Sequence, residues 1–199
     1  MIRDPASFQI LLDTIARFVR EKLIPREREV SEADEIPADI AAEMRRMGLF
    51  GLTIPEAYGG LGLTTEEEVL TSMALTEASP VFRSYMGTNN GIGGMGIVID
   101  GTDAQKQKYL PRLATGEIIG SFALTEPGSG SDAGALTTRA EKQGDHYIVN
   151  GAKRFITNAP QASIFTLMAR TDPMSVAWIS ASVAPCASNQ GISNCETRT

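Results

Sequence analysis

The chain has 199 residues, 42% hydrophobic and 21% charged, with a formal net charge of -6. That length holds one large domain or two small ones, the composition is that of an ordinary globular chain, and the acidic balance argues against nucleic-acid binding as the main role. A single histidine, His146, leaves no basis for a His-based metal site or a Ser-His-Asp triad; two cysteines, Cys186 and Cys195, make no disulfide framework, and no apolar run reaches the ~18 residues of a membrane-spanning helix.

Residues 7–24 place Phe8, Leu11, Leu12, Ile15, Phe18, Val19 and Leu23 at helical spacing, which predicts an amphipathic helix. Asp4 or Ser7 caps its start, and Pro25 ends it. Asp13, Arg17 and Arg20 interrupt this segment, so it does not read as a secretion signal. It is not an Arg- and Ser-rich, acid-poor transit peptide either, and with so few cysteines the expected location is the cytoplasm. A charged stretch, residues 26–35, continues as a solvated helical turn or loop. A second helix follows Ile36, with Pro37 in its first turn, Ile40, Met44 and Met47 as its apolar stripe and Gly48 as its C-terminal cap.

Residues 49–63 form a loop punctuated by Gly51, Pro55, Gly59, Gly60 and Gly62. A third helix starts at Thr64 or Thr65. Thr65 and Glu68 are spaced for a capping box, Val69, Met73 and Ala74 begin the buried face, and Pro80 is the stop. Residues 81–99 are small and apolar, with Asn89-Asn90-Gly91 and Gly93-Gly94 inside, and glycine propensity favours a loop for part of them. Thr102 and Gln105 form another capping-box pattern, for a helix that runs to about Leu110 before Pro111; Gly116 closes the helical part. Helices that precede every convincing strand predict two sequential domains rather than α/β alternation.

From residue 118 the period changes to two. Residues 118–124 read as a buried strand, and residues 136–141 and 146–149 as a pair around Gly144-Asp145. Asn150-Gly151 is a turn signal, with residues 153–156 resuming the strand; residues 164–169 and 176–183 read as further strands. The expected class is α+β and multi-domain: an all-α helical domain, residues 1–117, then an antiparallel β-sandwich or open barrel, residues 118–199.

The chemistry-bearing stretch is Ala123-Leu124-Thr125-Glu126-Pro127-Gly128-Ser129-Gly130-Ser131-Asp132-Ala133-Gly134. Its glycines allow close backbone approach and positive φ, its hydroxyls are donors, and its exposed N–H groups suit a pyrophosphate. Such composition also serves as a linker, but Glu126-Pro127 fixes the entry to the loop, which a linker does not need. Asp132 is expected to hold the loop by bonding backbone N–H groups. A second segment, Tyr147-Ile148-Val149-Asn150-Gly151-Ala152-Lys153-Arg154-Phe155-Ile156-Thr157-Asn158, ends with an aromatic and a hydroxyl two places apart.

The order Ala123, Leu124, Thr125, Glu126, Ser129, Gly130, Ser131, Asp132 resembles a signature of the acyl-CoA dehydrogenase family. The second segment resembles that family's second flavin-contact segment, with Phe155 and Thr157 at the aromatic and hydroxyl positions; Phe155 stands where Trp is frequent, which loses ring area and an indole N–H but keeps a flat apolar face. Ile54-Pro55-Glu56-Ala57-Tyr58-Gly59-Gly60-Leu61-Gly62 is similar to a stretch between the family's early helices. The resemblance covers roughly residues 5–173, and it implies a packed helix within residues 81–99. It implies that FAD is lined by Phe122, Ala123, Leu124, Thr125, Gly130, Ser131, Phe155, Ile156 and Thr157. In that scheme Thr125 bonds the flavin ring, Gly130 and Ser131 meet the pyrophosphate region, and Ser131 also touches the thioester substrate.

The resemblance further implies α,β-dehydrogenation of an acyl-CoA, with an electron-transfer flavoprotein as electron acceptor. A carboxylate removes the α-proton on one face while the β-hydride leaves toward flavin on the other. In the family that base is a Glu on a helical C-terminal domain, which this sequence does not contain, so no catalytic residue is expected within it. The chain is expected to be a fragment, inactive alone, and the family's homo-oligomer is in question for it. Residues 174–199 hold only Glu196 and Arg198 as charges, which a frame disruption near residue 174, genuine divergence or chance in so short a window would each explain. Two other readings stand beside this one: a non-catalytic module that binds acyl-CoA or a partner, and a flavin oxidase or monooxygenase of the same fold.

Overall fold

The computed structural model describes residues 2–144 and 146–171 in full, and the backbone of residues 176–183, 187–188 and 191–198. Seven α-helices are described ahead of the strands: α1 (Pro5–Phe18), α2 (Glu27–Ala33), α3 (Ala38–Arg46), α4 (Thr65–Leu75), α5 (Pro80–Asn90), α6 (Met95–Asp100) and α7 (Asp103–Ala114). Asp4, not Ser7, caps α1 by accepting from the backbone N–H groups of Ala6 and Ser7. Pro25 does not end the helical path. A π-helical turn, Val19–Leu23, and a 3-10 turn, Ile24–Arg26, absorb the proline's missing donor and ring, and α2 continues beyond it. Pro37 is the N-cap of α3, and Gly48 ends that helix in the left-handed region at φ 73.

The capping box of α4 is formed by Thr64 and Glu67, one residue earlier than the Thr65 and Glu68 spacing suggests. The displaced frame moves the buried face. Glu67, Thr71 and Leu75 point inward, whereas Val69 and Met73 are exposed. Glu67 tolerates that position because it accepts from the backbone N–H groups of Arg3 and Thr64, at 3.0 and 2.8 Å. Pro80 opens α5 rather than stopping α4. Residues 81–99 are mostly helical, in α5 and α6, with only Gly91–Gly94 outside. Thr102 and Gln105 cap α7 reciprocally, and α7 passes through Pro111 to Ala114. Burial of Leu110, Leu113 and Ala114 outweighs the bond that proline removes. Ile15, Leu23, Met44, Phe50, Phe82 and Met86 form the centre of the helical core.

The strands are β1 (Gly120–Ala123), β2 (Arg139–Gln143), β3 (His146–Lys153), β4 (Ile164–Arg170), β5 (Val176–Val183), β6 (Ala187–Ser188) and β7 (Gly191–Arg198). Their order is β1-β4-β2-β3-β7-β5, and β5 also pairs with β4, so the sheet curls back on itself. It is mixed rather than purely antiparallel: β1 and β2 both run parallel to β4. Asn150-Gly151 is not a turn. β3 runs through it with a register shift against β7 between Val149 and Ala152, so the two residues mark a bulge. Gly151 fits there because a Cβ would lie 2.3 Å from the Thr138 hydroxyl. The strand expected over residues 136–141 begins only at Arg139, and the one over residues 153–156 ends at Lys153. His146 is half-buried on β3.

β4 joins the two halves. Phe165, Leu167 and Ala169 pack with Ala123, Ala140 and Val149 inside the sheet. Ile164 packs instead with Ile97, Leu110, Leu113 and Ile118, and the Thr166 hydroxyl donates to the Gly93 carbonyl at 3.0 Å.

Candidate functional site

The two segments singled out in the sequence lie against each other. At one end the Ser121 hydroxyl donates to the Thr157 carbonyl at 2.5 Å. At the other the Arg154 N–H donates to the Thr125 carbonyl at 2.8 Å. Between these ties β1 alternates: Ser121 and Ala123 are buried, while Phe122 and Leu124 are half-buried. Thr125 is half-buried, and Phe155 and Thr157 are exposed.

Beyond Thr125 the chain turns back tightly. The Glu126 N–H donates to the Ser129 carbonyl at 2.8 Å, and the Ser129 N–H returns to Glu126 at 3.2 Å. Pro127 and Gly128 form the tip. Gly128, Gly130 and Gly134 do not use positive φ, contrary to expectation. Gly128 and Gly130 instead face open space, where an added Cβ would meet nothing within 4 Å. Ser131 and Asp132 are exposed. Asp132 ties the loop through its carbonyl, which accepts from the Ser129 hydroxyl at 2.6 Å and the Ala135 N–H at 3.1 Å.

Glu126 is the buried centre of the site. Its carboxylate accepts from the Thr137 N–H at 2.6 Å, the Thr137 hydroxyl at 2.7 Å, the Thr138 N–H at 2.9 Å and Lys153 Nζ at 2.9 Å. The two side chains of this ion pair are only 3% and 1% exposed. Burial by itself would raise the Glu126 carboxyl, but donors from Thr138, Thr137 and Lys153 outweigh it and hold the group at about 2. Burial pulls the Lys153 ammonium below its ordinary range, against the pull of Glu126. Lys153 Nζ also donates to the Leu124 carbonyl at 2.9 Å. From the sequence, Glu126 is expected at the entry to the loop and Lys153 has no role, so their pairing is not anticipated. The signal was there in part: alternation from buried Val149 carries Lys153 inward, and an inward cation demands a partner.

Phe155 sits at φ 58, a strained conformation for a bulky residue. The Arg154 tie holds it on one side. On the other, Asn158 (φ 62) donates through its side-chain amide to the carbonyls of Ser84 and Tyr85 and to the Thr88 hydroxyl. The result is an aromatic ring 78% exposed, with the Arg154 guanidinium 4.5 Å from its centroid. Phe155, Ile156 and Thr157 line a cleft of about 1330 Å³ together with Val30, Ser31, Asp34, Val81 and Tyr85. Residues 122–131 do not line this cleft. The structure thus brings the two segments into contact, but only the second lines this cleft.

Among the described residues no group of three or more His, Cys, Asp or Glu is placed to hold a metal ion. No helix among them is long and apolar enough to cross a membrane.

Residues 6–117 match the acyl-CoA dehydrogenase N-terminal domain, and residues 121–199 match the acyl-CoA dehydrogenase middle domain. The chain is 42% identical over 165 residues to (2S)-methylsuccinyl-CoA dehydrogenase of Cereibacter sphaeroides, covering 82% of this chain and 30% of that protein. It is 37% identical over 168 residues to mitochondrial isovaleryl-CoA dehydrogenase of Bos taurus, covering 83% of this chain and 39% of that protein. Among solved structures it is similar to an acyl-CoA dehydrogenase complexed with FAD from Bacillus anthracis, with a TM-score of 0.86 and 29% identity over 99% of this chain and 37% of that one. The chain therefore spans well under half the length of these relatives. By these matches the chain belongs to the acyl-CoA dehydrogenase family, with segments corresponding to its N-terminal and middle domains.

Proposed function

We propose that this chain is the flavin-holding part of an FAD-dependent acyl-CoA dehydrogenase, divided into a helical domain, residues 1–117, and a β domain, residues 118–199. The carrying observation is the pair of ties, Ser121 to Thr157 and Arg154 to Thr125, which set the two segments side by side. The residues present fit a flavin. Phe155 is a flat, exposed apolar face, Phe122 and Leu124 are half-buried on the segment tied to it, and the space over Gly128 and Gly130 is open to a diphosphate.

In this reading Phe122, Leu124, Ile156 and Phe155 exclude water from the ring, while Ala123, fully buried in the sheet, anchors the strand that carries Phe122 and Leu124. The Thr125 and Thr157 hydroxyls are donors to its polar edge, and Gly130 lets phosphate approach the backbone. Ser131 is a donor to both the pyrophosphate and the thioester. When bound, FAD supplies the hydride acceptor for α,β-dehydrogenation of an acyl-CoA. Glu126 is not the base: it is buried, accepts from four donors and is held at about 2, which makes it a weak proton acceptor. The α-proton base belongs to the family's C-terminal helical domain, and the electron acceptor is an electron-transfer flavoprotein. The low cysteine count supports a cytoplasmic location.

The test is a titration of the purified chain with FAD, followed by flavin fluorescence and visible absorption. Quenched fluorescence and a shifted spectrum are expected, both weakened in Phe155→Ala and Thr125→Ala. An unchanged flavin spectrum at saturating chain would sink this reading.

A further inference from the structure

The Glu126–Lys153 pair is buried, and it ties together several segments of the candidate site. Lys153 Nζ donates both to the Leu124 carbonyl and to the Glu126 carboxylate, each at 2.9 Å. Thr125 lies between those two acceptors, so one ammonium fixes the chain on both sides of it. The Thr125 carbonyl accepts from Arg154, the residue that separates Lys153 from Phe155. The same carboxylate gathers Thr137 and Thr138, which carry the chain from the loop into β2.

We propose that Glu126 and Lys153 are positioning residues that set the register between the Thr125 hydroxyl and the Phe155 ring, and through it the affinity and electronic surroundings of the bound flavin. The flavin part rests on the function proposed above. Stability alone does not account for the pair, because packed apolar side chains commonly replace a buried ion pair without loss. Apolar groups would fill the volume but leave the Leu124 carbonyl and the Thr137 and Thr138 N–H groups without these partners. Only a directional hub holds all three segments at fixed angles to one another.

The test uses the 199-residue chain with Glu126→Gln, Lys153→Met and the double variant E126Q/K153M. In the flavin-free chain, hydrogen exchange is read at the Arg154 and Thr138 amides, with the Gly120 amide as a distant reference. In a second arm FAD is titrated and the bound flavin spectrum recorded. Expected in the double variant is about tenfold faster exchange at Arg154 and Thr138 with Gly120 unchanged. FAD affinity should fall about tenfold, with a bound spectrum displaced toward that of free flavin. Wild-type exchange at Arg154 in the double variant overturns the proposal, as does wild-type FAD affinity with an unchanged spectrum. If a single variant fails to fold through its unpaired charge, the double variant, which buries none, carries both readouts. Loss of cooperative folding in the double variant as well would make the pair a stability element and overturn the positioning role. If the wild-type chain binds no FAD, the flavin reading fails separately, and exchange at Arg154 alone decides whether the pair sets the register.

Discussion

Asn89 holds Gly120 in place: its side-chain oxygen accepts from the Gly120 N–H at 2.7 Å, while its amide donates to the carbonyls of Leu113 and Ile118 at 2.9 and 3.0 Å. One fully buried side chain thus fastens α5, the end of α7 and the start of β1. Asn89→Ala leaves three backbone groups without this partner and should cost about 2–4 kcal/mol in urea unfolding. Asn89→Asp should cost at least as much, because a carboxylate cannot donate to two carbonyls. A loss below half a kcal/mol for Asn89→Ala, roughly the scale of neutral surface changes, would contradict this account.

Gly93 packs tightly against the start of β1. A Cβ there would lie 2.8 Å from the Thr88 carbonyl oxygen and 3.0 Å from backbone atoms of Gly120 and Ser121. Gly93→Ala should therefore destabilise by about 1–3 kcal/mol through overpacking. Gly128→Ala, in open space, should leave thermal stability unchanged within experimental scatter.

Phe155 sets stability against binding. Its left-handed backbone is unfavourable by about 1–3 kcal/mol, and its exposed ring returns little through burial. Phe155→Gly should raise the unfolding midpoint while weakening FAD binding. Phe155→Ala should weaken binding without the gain in stability. A matched rise or fall of both properties in Phe155→Gly would argue against a ring retained for a ligand.

Acid should act on the fold through Glu126. Its carboxyl is at about 2 in the folded chain, below the ordinary 4.5. A depressed value means that its stabilising contribution is fully present above 4.5 and is lost as pH falls from there toward about 2. Glu67, also held at about 2, by backbone donors from Arg3 and Thr64, acts in the same window. Stability measured between pH 6 and pH 3 should therefore drop more shallowly in Glu126→Gln than in wild type, with the Glu67 part remaining. An identical slope in the two proteins would be inconsistent with an ionised Glu126.

The start of α4 offers a smaller test. Thr64→Ala removes the side-chain cap of Glu67 and should cost about 1 kcal/mol, whereas Thr65→Ala should be close to neutral. Equal effects would place the capping box wrongly.

Much of this was legible from residue pattern. The change of period near residue 118, the caps at Thr102 and Gln105 and the left-handed Gly48 and Gly116 each rest on local chemistry that the structure repeats. Local rules failed where distant residues decide. α4 turns its polar line inward because Arg3 meets Glu67, sixty-four positions away. Asn150-Gly151 looks like a hairpin tip in isolation, but β3 has partners on both edges that carry it straight through. The parallel pairing of β1 with β4 depends on where the helical half delivers the chain, which no window of alternation reports. At the site, the motif letters placed Thr125 and Phe155 in contacting segments, but the Glu126–Lys153 pair emerges only once residues twenty-seven positions apart are seen together.

The parallel seam between β1 and β4 also orders events during synthesis. When Gly120 leaves the ribosome, Ile164 and its neighbours, its partners in the sheet, have not yet been translated. Its other partner, Asn89, already exists. The helical half can therefore receive β1 first and hold it as a template, so that β4 arrives at an edge already anchored instead of searching for one. Helices made early become the scaffold on which the later sheet is laid.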